Sequence, residues 1–164
     1  SRLQWVSVRE ELELLAQYLD IEKVRLGDRM QVRWHVADDC LDEVVPPLLL
    51  QPLVENAVVH AIARRTRPGS VRIGAARVNG MLWLQVEDDG AEGLPDVEGN
   101  GIGLANTRSR LQAMYGPDAV LSIAPTEAGG TLVSLRLPCL QAAMDVARDD
   151  HAVRDIRFDG VAVR

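Results

Sequence analysis

A predicted β-hairpin constrains the fold of this chain more than any other feature of its sequence. Residues 71–78 and 81–87 have the apolar and branched side chains of strands, and Asn79-Gly80 lies between them. An Asn-Gly pair favours a two-residue hairpin turn because both of its residues tolerate positive φ. The two segments should therefore pair as antiparallel strands, and the core should be built on a sheet.

Two further regions have the pattern of strands. Residues 120–124 and 131–137 are separated by Gly129-Gly130, which predicts a second hairpin. Met30–Val36 alternates apolar and polar side chains, which is the period of a half-buried strand.

The first helix is predicted by its cap and its apolar spacing. Ser7 followed by Glu10 is the pattern of a capping box, so a helix should run from Val8 to about Leu26. The apolar residues that recur at roughly helical spacing are Leu12, Leu15, Leu19 and Val24.

Two more helices are predicted from the length of an apolar stretch and from the glycine and proline residues that bound a helix. The apolar stretch 48–62 is long enough for a helix, with Pro52 either starting or kinking it. Residues 88–103 hold five glycines and little periodicity, which indicates a loop. The chain then becomes helical through Leu104, Leu111 and Met114 and stops at Gly116-Pro117. This order predicts helices on one face of a mixed, mostly antiparallel sheet, a two-layer α+β sandwich.

The composition excludes several classes of protein. The 164 residues carry a formal net charge of -6 and only 4% aromatic residues, so no nucleic-acid surface is expected. Cys40 and Cys139 fit no metal or disulfide pattern and should be ordinary thiols in a reducing compartment. No apolar run reaches the ~20 residues of a membrane span, and the N-terminus has no signal-peptide core. The absence of methionine at Ser1 is typical of a piece of a longer protein. We expect one domain over residues 1–138 and a tail of unknown structure over residues 139–164.

Four polar residues interrupt the apolar second helix. Gln51 and Glu55 lie one turn apart, as do Asn56 and His60. Polar groups in a core helix need partners, and these four could satisfy one another or cap loops. Alternatively, Asn56 supplies an oxygen ligand to a hard cation such as Mg²⁺.

Glycine-rich segments offer further candidate binding groups. Asp88 ends a strand just before Gly90, where a carboxylate can accept a hydrogen bond from an exocyclic amine and a ring can approach the backbone. An ordinary acidic turn is the alternative. Gly129-Gly130-Thr131 is either a hairpin turn alone or a turn from which Thr131 reaches a ligand.

A third glycine-rich segment, Gly99-x-Gly101-x-Gly103, leads directly into a helix. The free amides and positive dipole end of a helix N-terminus suit phosphate oxygens without a basic patch. A flexible loop without a ligand is the alternative.

Taken in sequence order, these motifs resemble the N, G1, G2 and GT boxes of the GHKL ATP-binding superfamily, which has the Bergerat fold. The four motifs are Glu55-Asn56, Asp88-x-Gly90, Gly99-x-Gly101-x-Gly103 and Gly129-Gly130-Thr131. Their flanks are similar to LytS-type sensor histidine kinases, and the resemblance covers residues 12–138. The similar flanks are Tyr18-Leu19-x-Ile21-Glu22-Lys23-x-Arg25, the run from Val45 to Asn56, and Gly101-Ile102-Gly103-Leu104-x-Asn106.

The resemblance implies a role for each matching residue. Asn56 would hold Mg²⁺ against the phosphates, with Glu55 beside it as a supporting or base-like group, and these two are the predicted catalytic residues. Asp88 would take the adenine amino group. The stretch from Gly99 to Gly103 would be the lid, and the amides around Gly103 to Ala105 would face the phosphates. The other predicted ATP-binding residues are His60, Gly90, Gly93, Gly99, Gly101, Ile102, Gly103, Leu104 and Thr131.

Two residues depart from the family pattern. Glu92 stands where the second glycine of Asp-x-Gly-x-Gly is expected, unless the segment is one residue longer, and it adds a negative charge near the nucleotide. Ala61 follows His60 where many relatives have glycine.

The resemblance further implies the catalytic domain of a two-component sensor histidine kinase, which uses ATP and Mg²⁺ to phosphorylate a histidine. The acceptor would lie on an upstream dimerisation region of the same protein, because His35, His60 and His151 stand in no comparable context. A response regulator, with the LytTR type as one candidate, would receive the phosphoryl group. We expect this chain to be a cytoplasmic monomer without direct membrane contact that does not phosphorylate itself, in a protein anchored in the bacterial inner membrane.

Two other functions stay open on the sequence alone. The altered segment at Glu92 fits a degenerate nucleotide-binding or scaffold domain that docks partners. A hydrolysing GHKL ATPase, in which Glu55 activates water, is the other.

Overall fold

The computed structural model describes residues 5–62, 66–90 and 101–140, with the backbone alone for residues 60, 61, 101 and 102. The strands in these ranges are β1 (Val6–Ser7), β2 (Met30–Val36), β3 (Val44–Val45), β4 (Gly69–Val78), β5 (Met81–Asp88), β6 (Val120–Pro125) and β7 (Thr131–Pro138). The helices are α1 (Val8–Leu26), α2 (Gln51–Asn56) and α3 (Gly101–Tyr115), and a π-helical turn over Ala57–Ile62 follows α2 directly. Short 3-10 turns cover Gly27–Arg29, Asp38–Cys40 and Gly116–Asp118.

Five of the strands form one mixed sheet in the order β2-β4-β5-β7-β6. The β2–β4 pair is parallel, and the other three pairs are antiparallel. Both predicted hairpins are confirmed, and the first turns at Asn79 and Gly80, which have φ of 49° and 74°. The short strands β1 and β3 pair with each other outside this sheet.

Helix α1 has the predicted limits because its first turn carries its own cap. The Ser7 hydroxyl accepts from the Glu10 amide, and the Glu10 carboxylate accepts from the Ser7 amide, so the capping box is complete. Of the four apolar residues at roughly helical spacing, Leu12, Leu15 and Leu19 are buried, whereas Val24 is 88% exposed. Val24 lies about 140° around the helix from the buried Leu19, whereas Leu26, two turns after Leu19, returns to the core.

The second and third helices begin and end differently from the prediction. Helix α2 starts at Gln51 rather than near residue 48, with Pro52 in its first turn, and it widens after Asn56 into the π-helical turn. Proline is tolerated there because a first-turn amide has no helical partner. Helix α3 starts at Gly101, so it includes the last three residues of the segment predicted as a loop, and it stops as expected before Gly116, whose φ is +62°.

The apolar core lies between the helices and one face of the sheet. It joins residues of α1, α2 and α3 to alternate residues of the central strands, such as Ile73, Leu84 and Leu135. This arrangement is the predicted two-layer α+β sandwich. Within the described ranges, no helix has the length and apolar content needed to cross a membrane.

The two cysteines are free and buried, as predicted for ordinary thiols. Burial raises the pKa of the Cys40 thiol to about 12, and the nearby Asp39 carboxylate adds to this shift. Burial and then Glu43 raise the pKa of Cys139 to about 11.

These shifts predict slow alkylation of the folded chain. Because the thiolate is the nucleophile, a raised pKa leaves less of it at pH 8 than in the unfolded chain. We expect iodoacetamide to modify both thiols more than about tenfold more slowly in the native than in the denatured chain. Mass spectrometry over time with and without denaturant measures the two rates, and equal rates would contradict the prediction.

Candidate functional site

The end of the central sheet brings two of the predicted site residues together. Asp88 is the last residue of β5, and its antiparallel partner in β7 is Thr131. Asp88 is 8% exposed and Thr131 is 5% exposed, so both are held inside the domain. The Asp88 carboxylate accepts a hydrogen bond from the Gly90 amide at 3.2 Å. A buried carboxylate can accept a hydrogen bond from an amino group of a ligand.

Gly130 makes the close approach between these two strands possible. A Cβ atom added to Gly130 would lie 1.8 Å from the carbonyl oxygen of Asp88 and 2.7 Å from its carbonyl carbon. No side chain fits at that distance from backbone atoms. The Gly-Gly-Thr motif therefore acts through its second glycine, which lets the β6–β7 turn lie against the end of β5.

The start of the segment after β5 is fixed by its neighbour strand. The Asp89 carboxylate accepts from the Ser70 amide at 2.9 Å, and the Asp89 amide donates to the Ser70 carbonyl at 3.3 Å. These bonds hold the backbone in place from Asp88 to the buried Gly90. The predicted site residues Gly93 and Gly99 lie outside the described residues.

The four polar residues that interrupt the predicted second helix lie on α2 and on the π-helical turn after it. The Gln51 amide donates to the Glu55 carboxylate at 3.0 Å, so this predicted pairing within the helix is confirmed. The side-chain nitrogen of Asn56 is buried and has no hydrogen-bond partner. The π-helical turn that continues from Asn56 packs on β4 and β5, the strands that lead to the Asp88 end of the sheet. For His60 the structure describes the backbone alone, within this turn.

Glu55 also lies close to α1. Burial raises the pKa of the Tyr18 hydroxyl to about 12, and the Glu22 and Glu55 carboxylates add to the shift in that order. An electrostatic effect of Glu55 on Tyr18 requires the two side chains to be near each other. Tyr18 therefore belongs to the surroundings of the candidate catalytic carboxylate.

The N-terminus of α3 lies beside the start of α2. A Cβ on Gly103 would lie 3.9 Å from the Cβ of Pro52, which is ordinary van der Waals contact. The Thr107 hydroxyl donates to the Gly103 carbonyl at 2.9 Å, and Leu104 is buried. Because α3 starts at Gly101, the amides without helical partners belong to Gly101 through Leu104, slightly earlier than the predicted Gly103 to Ala105. Of Gly101 and Ile102 the structure describes the backbone alone.

One buried residue that contacts the backbone before α2 is not among the predicted site residues. Glu11 of α1 accepts hydrogen bonds from three backbone amides immediately before α2. Its signal was present in the sequence, since a glutamate stands within the apolar stripe formed by Val8, Leu12 and Leu15. A charged residue on the buried face of a helix requires a specific partner.

The fold and these groups together define a nucleotide-binding domain of the GHKL class. A mixed sheet covered by helices ends in a buried carboxylate beside a Gly-Gly-Thr turn, while a glycine-rich helix N-terminus lies against the helix that carries Glu55 and Asn56. Residues 42–141 match the family described as histidine kinase-, DNA gyrase B-, and HSP90-like ATPase. The chain belongs to this family.

Within this family, the proteins similar in sequence to this chain include sensor histidine kinases. The sensor histidine kinase YesM of Bacillus subtilis (strain 168) is 33% identical over 138 residues, which are 82% of this chain and 24% of that protein. The sensor protein LytS of Staphylococcus epidermidis (strain RP62A) is 28% identical over 151 residues, which are 84% of this chain and 25% of that protein. The chain thus spans about a quarter of the length of these relatives. The resemblance to LytS-type sensor histidine kinases is confirmed.

A solved structure supports the fold. The catalytic domain of the histidine kinase ThkA superposes with a TM-score of 0.67 at 14% identity, covering 85% of this chain and 98% of that one. At this identity the likeness concerns the fold alone. The chain is a GHKL ATPase domain homologous to those of sensor histidine kinases, which are kinase-type enzymes.

Proposed function

We propose that this domain binds Mg-ATP and transfers the γ-phosphoryl group to a histidine on an upstream region of the same protein. The observation that carries the proposal is the buried side-chain nitrogen of Asn56, which has no hydrogen-bond partner. An unpaired buried polar group costs free energy, so an unsatisfied amide on a helix beside Glu55 fits a group that awaits a ligand. This observation favours a nucleotide-binding domain over a scaffold domain, and the labelling experiment below separates a kinase from a hydrolysing ATPase.

The residues around Asn56 fit a magnesium ion that is also bound by phosphates. The oxygen and nitrogen of an amide are assigned from their partners, so the Asn56 side chain can turn its oxygen toward a cation. Mg²⁺ prefers oxygen ligands and keeps waters and phosphate oxygens in its shell. When bound, the ion would neutralise charge on the phosphates.

Two other parts of the domain would bind the nucleotide itself. The buried Asp88 carboxylate, with Thr131 opposite it, would accept a hydrogen bond from the adenine amino group. The amides at the start of α3, which have no partner within the helix, would face the phosphates, since the positive end of the helix dipole favours anions. This arrangement binds a polyphosphate in a chain whose net charge is -6.

The reaction would depend mainly on positioning and charge neutralisation. A ring nitrogen of the acceptor histidine forms a bond to the γ-phosphorus, the bond from phosphorus to the bridging oxygen breaks, and ADP leaves. Glu55, held by Gln51 at 3.0 Å, would act as a supporting or base-like group toward the acceptor. A response regulator would then take the phosphoryl group from that histidine.

Labelling with γ-labelled ATP tests this function. With Mg²⁺ and a separately prepared upstream region, we expect label on the upstream region, and with the chain alone we expect none. Omission of Mg²⁺ or heat denaturation of this chain should abolish the label, which provides the controls. Robust labelling of the chain alone would contradict the acceptor assignment, and steady phosphate release without an acceptor would indicate a hydrolase.

A further inference from the structure

A buried carboxylate of α1 caps the helix that carries the candidate catalytic residues. Glu11 is 5% exposed and forms no ion pair with any lysine or arginine of the described ranges. Its Oε2 accepts from the amides of Leu49 at 3.1 Å and Leu50 at 3.3 Å, and its Oε1 accepts from the amide of Leu48. Three amide donors compensate the burial of the charge, and the positive end of α2 favours it.

Helix α2 has no cap of its own. Leu50 stands at the N-cap position and provides no side-chain hydrogen bond, whereas Ser, Thr, Asp or Asn would normally accept from the first amides. Leu48 is held at a φ of 57°, in a region that L-residues rarely adopt. The backbone that leads into α2 therefore takes its conformation from a residue 37 positions earlier in the chain.

The position of Asn56 depends on where α2 begins. Successive residues of an α-helix turn by about 100° and rise by about 1.5 Å. If the helix register shifted by one residue at its start, every later side chain would point in a different direction. The helix has only six residues, which leaves little length over which such a change could be absorbed. From this geometry we propose that Glu11 is a positioning residue for phosphoryl transfer: it fixes the start of α2 and thereby directs Glu55 and Asn56 toward the nucleotide.

This inference rests on the proposed function, and its test uses a matched buried glutamate as the control. Glu43 is 2% exposed and bonds to Arg77 at 3.3 Å. Arg77 is aligned with Leu82 near the start of β5, at the opposite end of that strand from Asp88. Glu11→Gln and Glu43→Gln both remove a buried negative charge, but only the first touches the backbone before α2.

The experiment measures binding of Mg-ADP and of ADP in EDTA by the 164-residue chain, together with amide hydrogen exchange. We expect Glu11→Gln to weaken Mg-ADP binding about tenfold, to leave ADP in EDTA nearly unchanged, and to speed exchange at the α2 amides but not in β5. Glu43→Gln should bind Mg-ADP within about twofold of the wild type. Should Glu11→Gln not fold, Glu11→Asp, which keeps the charge but is one methylene shorter, takes its place with the same expected losses.

Two results would overturn the positioning role. One is wild-type Mg-ADP binding and wild-type α2 exchange in the folded Glu11 variant. The other is an equal loss of Mg-ADP binding in both glutamine variants, which would reduce Glu11 to a stability residue. If the wild type binds no nucleotide, the proposed function is contradicted independently of Glu11. The amide hydrogen exchange of α2 in the Glu11 variant then still shows whether Glu11 holds that helix.

Discussion

Replacement of Gly130 by alanine is expected to reduce nucleotide affinity by at least about a hundredfold, because the new methyl group would occupy the space of the Asp88 carbonyl. A contact of 1.8 Å with a backbone oxygen in a paired strand cannot be relieved by a side-chain rotation. Either β7 must shift away from β5 or the end of β5 must move, and both changes displace the Asp88 carboxylate. Isothermal titration with Mg-ADP measures the loss, and thermal unfolding measures the accompanying destabilisation.

The adjacent glycine supplies the matched control. Gly129 has a φ of +89°, but nothing lies within 4 Å of an added Cβ. Gly129→Ala should therefore cost about 1–2 kcal/mol of backbone strain while Asp88 stays in place. Nucleotide affinity that falls equally in the two variants would show that general destabilisation, not the contact with Asp88, is responsible. Unchanged affinity in Gly130→Ala would exclude the adenine role of this strand end.

Replacement of Asn56 by alanine is expected to remove the part of nucleotide affinity that depends on magnesium. The side-chain nitrogen has no partner in the folded chain, so its removal should change the free energy of unfolding by less than about 1 kcal/mol. Loss of an oxygen ligand, in contrast, should weaken Mg-ADP binding by about tenfold or more. Titration of ADP at several Mg²⁺ concentrations separates the two effects, since binding in EDTA should stay the same.

The control for this variant is an amide side chain outside the site. Gln112 is exposed on α3, and Gln112→Ala should leave both the affinity and its magnesium dependence unchanged. Should Asn56→Ala retain the full magnesium dependence, another residue must hold the ion. A large loss of stability in Asn56→Ala would instead assign this side chain a structural role.

Local signals made much of this fold predictable from the sequence. The capping box at Ser7 and Glu10 depends on residues within one turn, and the Asn79-Gly80 turn depends on two adjacent residues. The five strands of the mixed sheet and the first helix are therefore predicted with nearly the observed limits, whereas the short strands β1 and β3 are not predicted. The class of the domain followed from motif order, which requires no knowledge of contacts, and the family match confirms it.

Features that depend on distant contacts were not predictable in this way. The cap of α2 is supplied by Glu11, far away in sequence, so the run of leucines before Gln51 suggested an earlier helix start. The exposure of Val24 depends on the last turn of α1, where small departures from even spacing move a residue off the buried face. The need for glycine at 130 arises because β7 pairs with β5 rather than only with its hairpin partner β6.

The position of β7 has a consequence for biosynthesis. This strand is the last one described, yet it lies inside the sheet, between β5 and β6. A nascent chain that has left the ribosome only as far as β6 exposes the open edge of β5 and has no Thr131 beside Asp88. The pair of Asp88 and Thr131, which we propose to bind the adenine, is therefore completed only when β7 is inserted between β5 and β6.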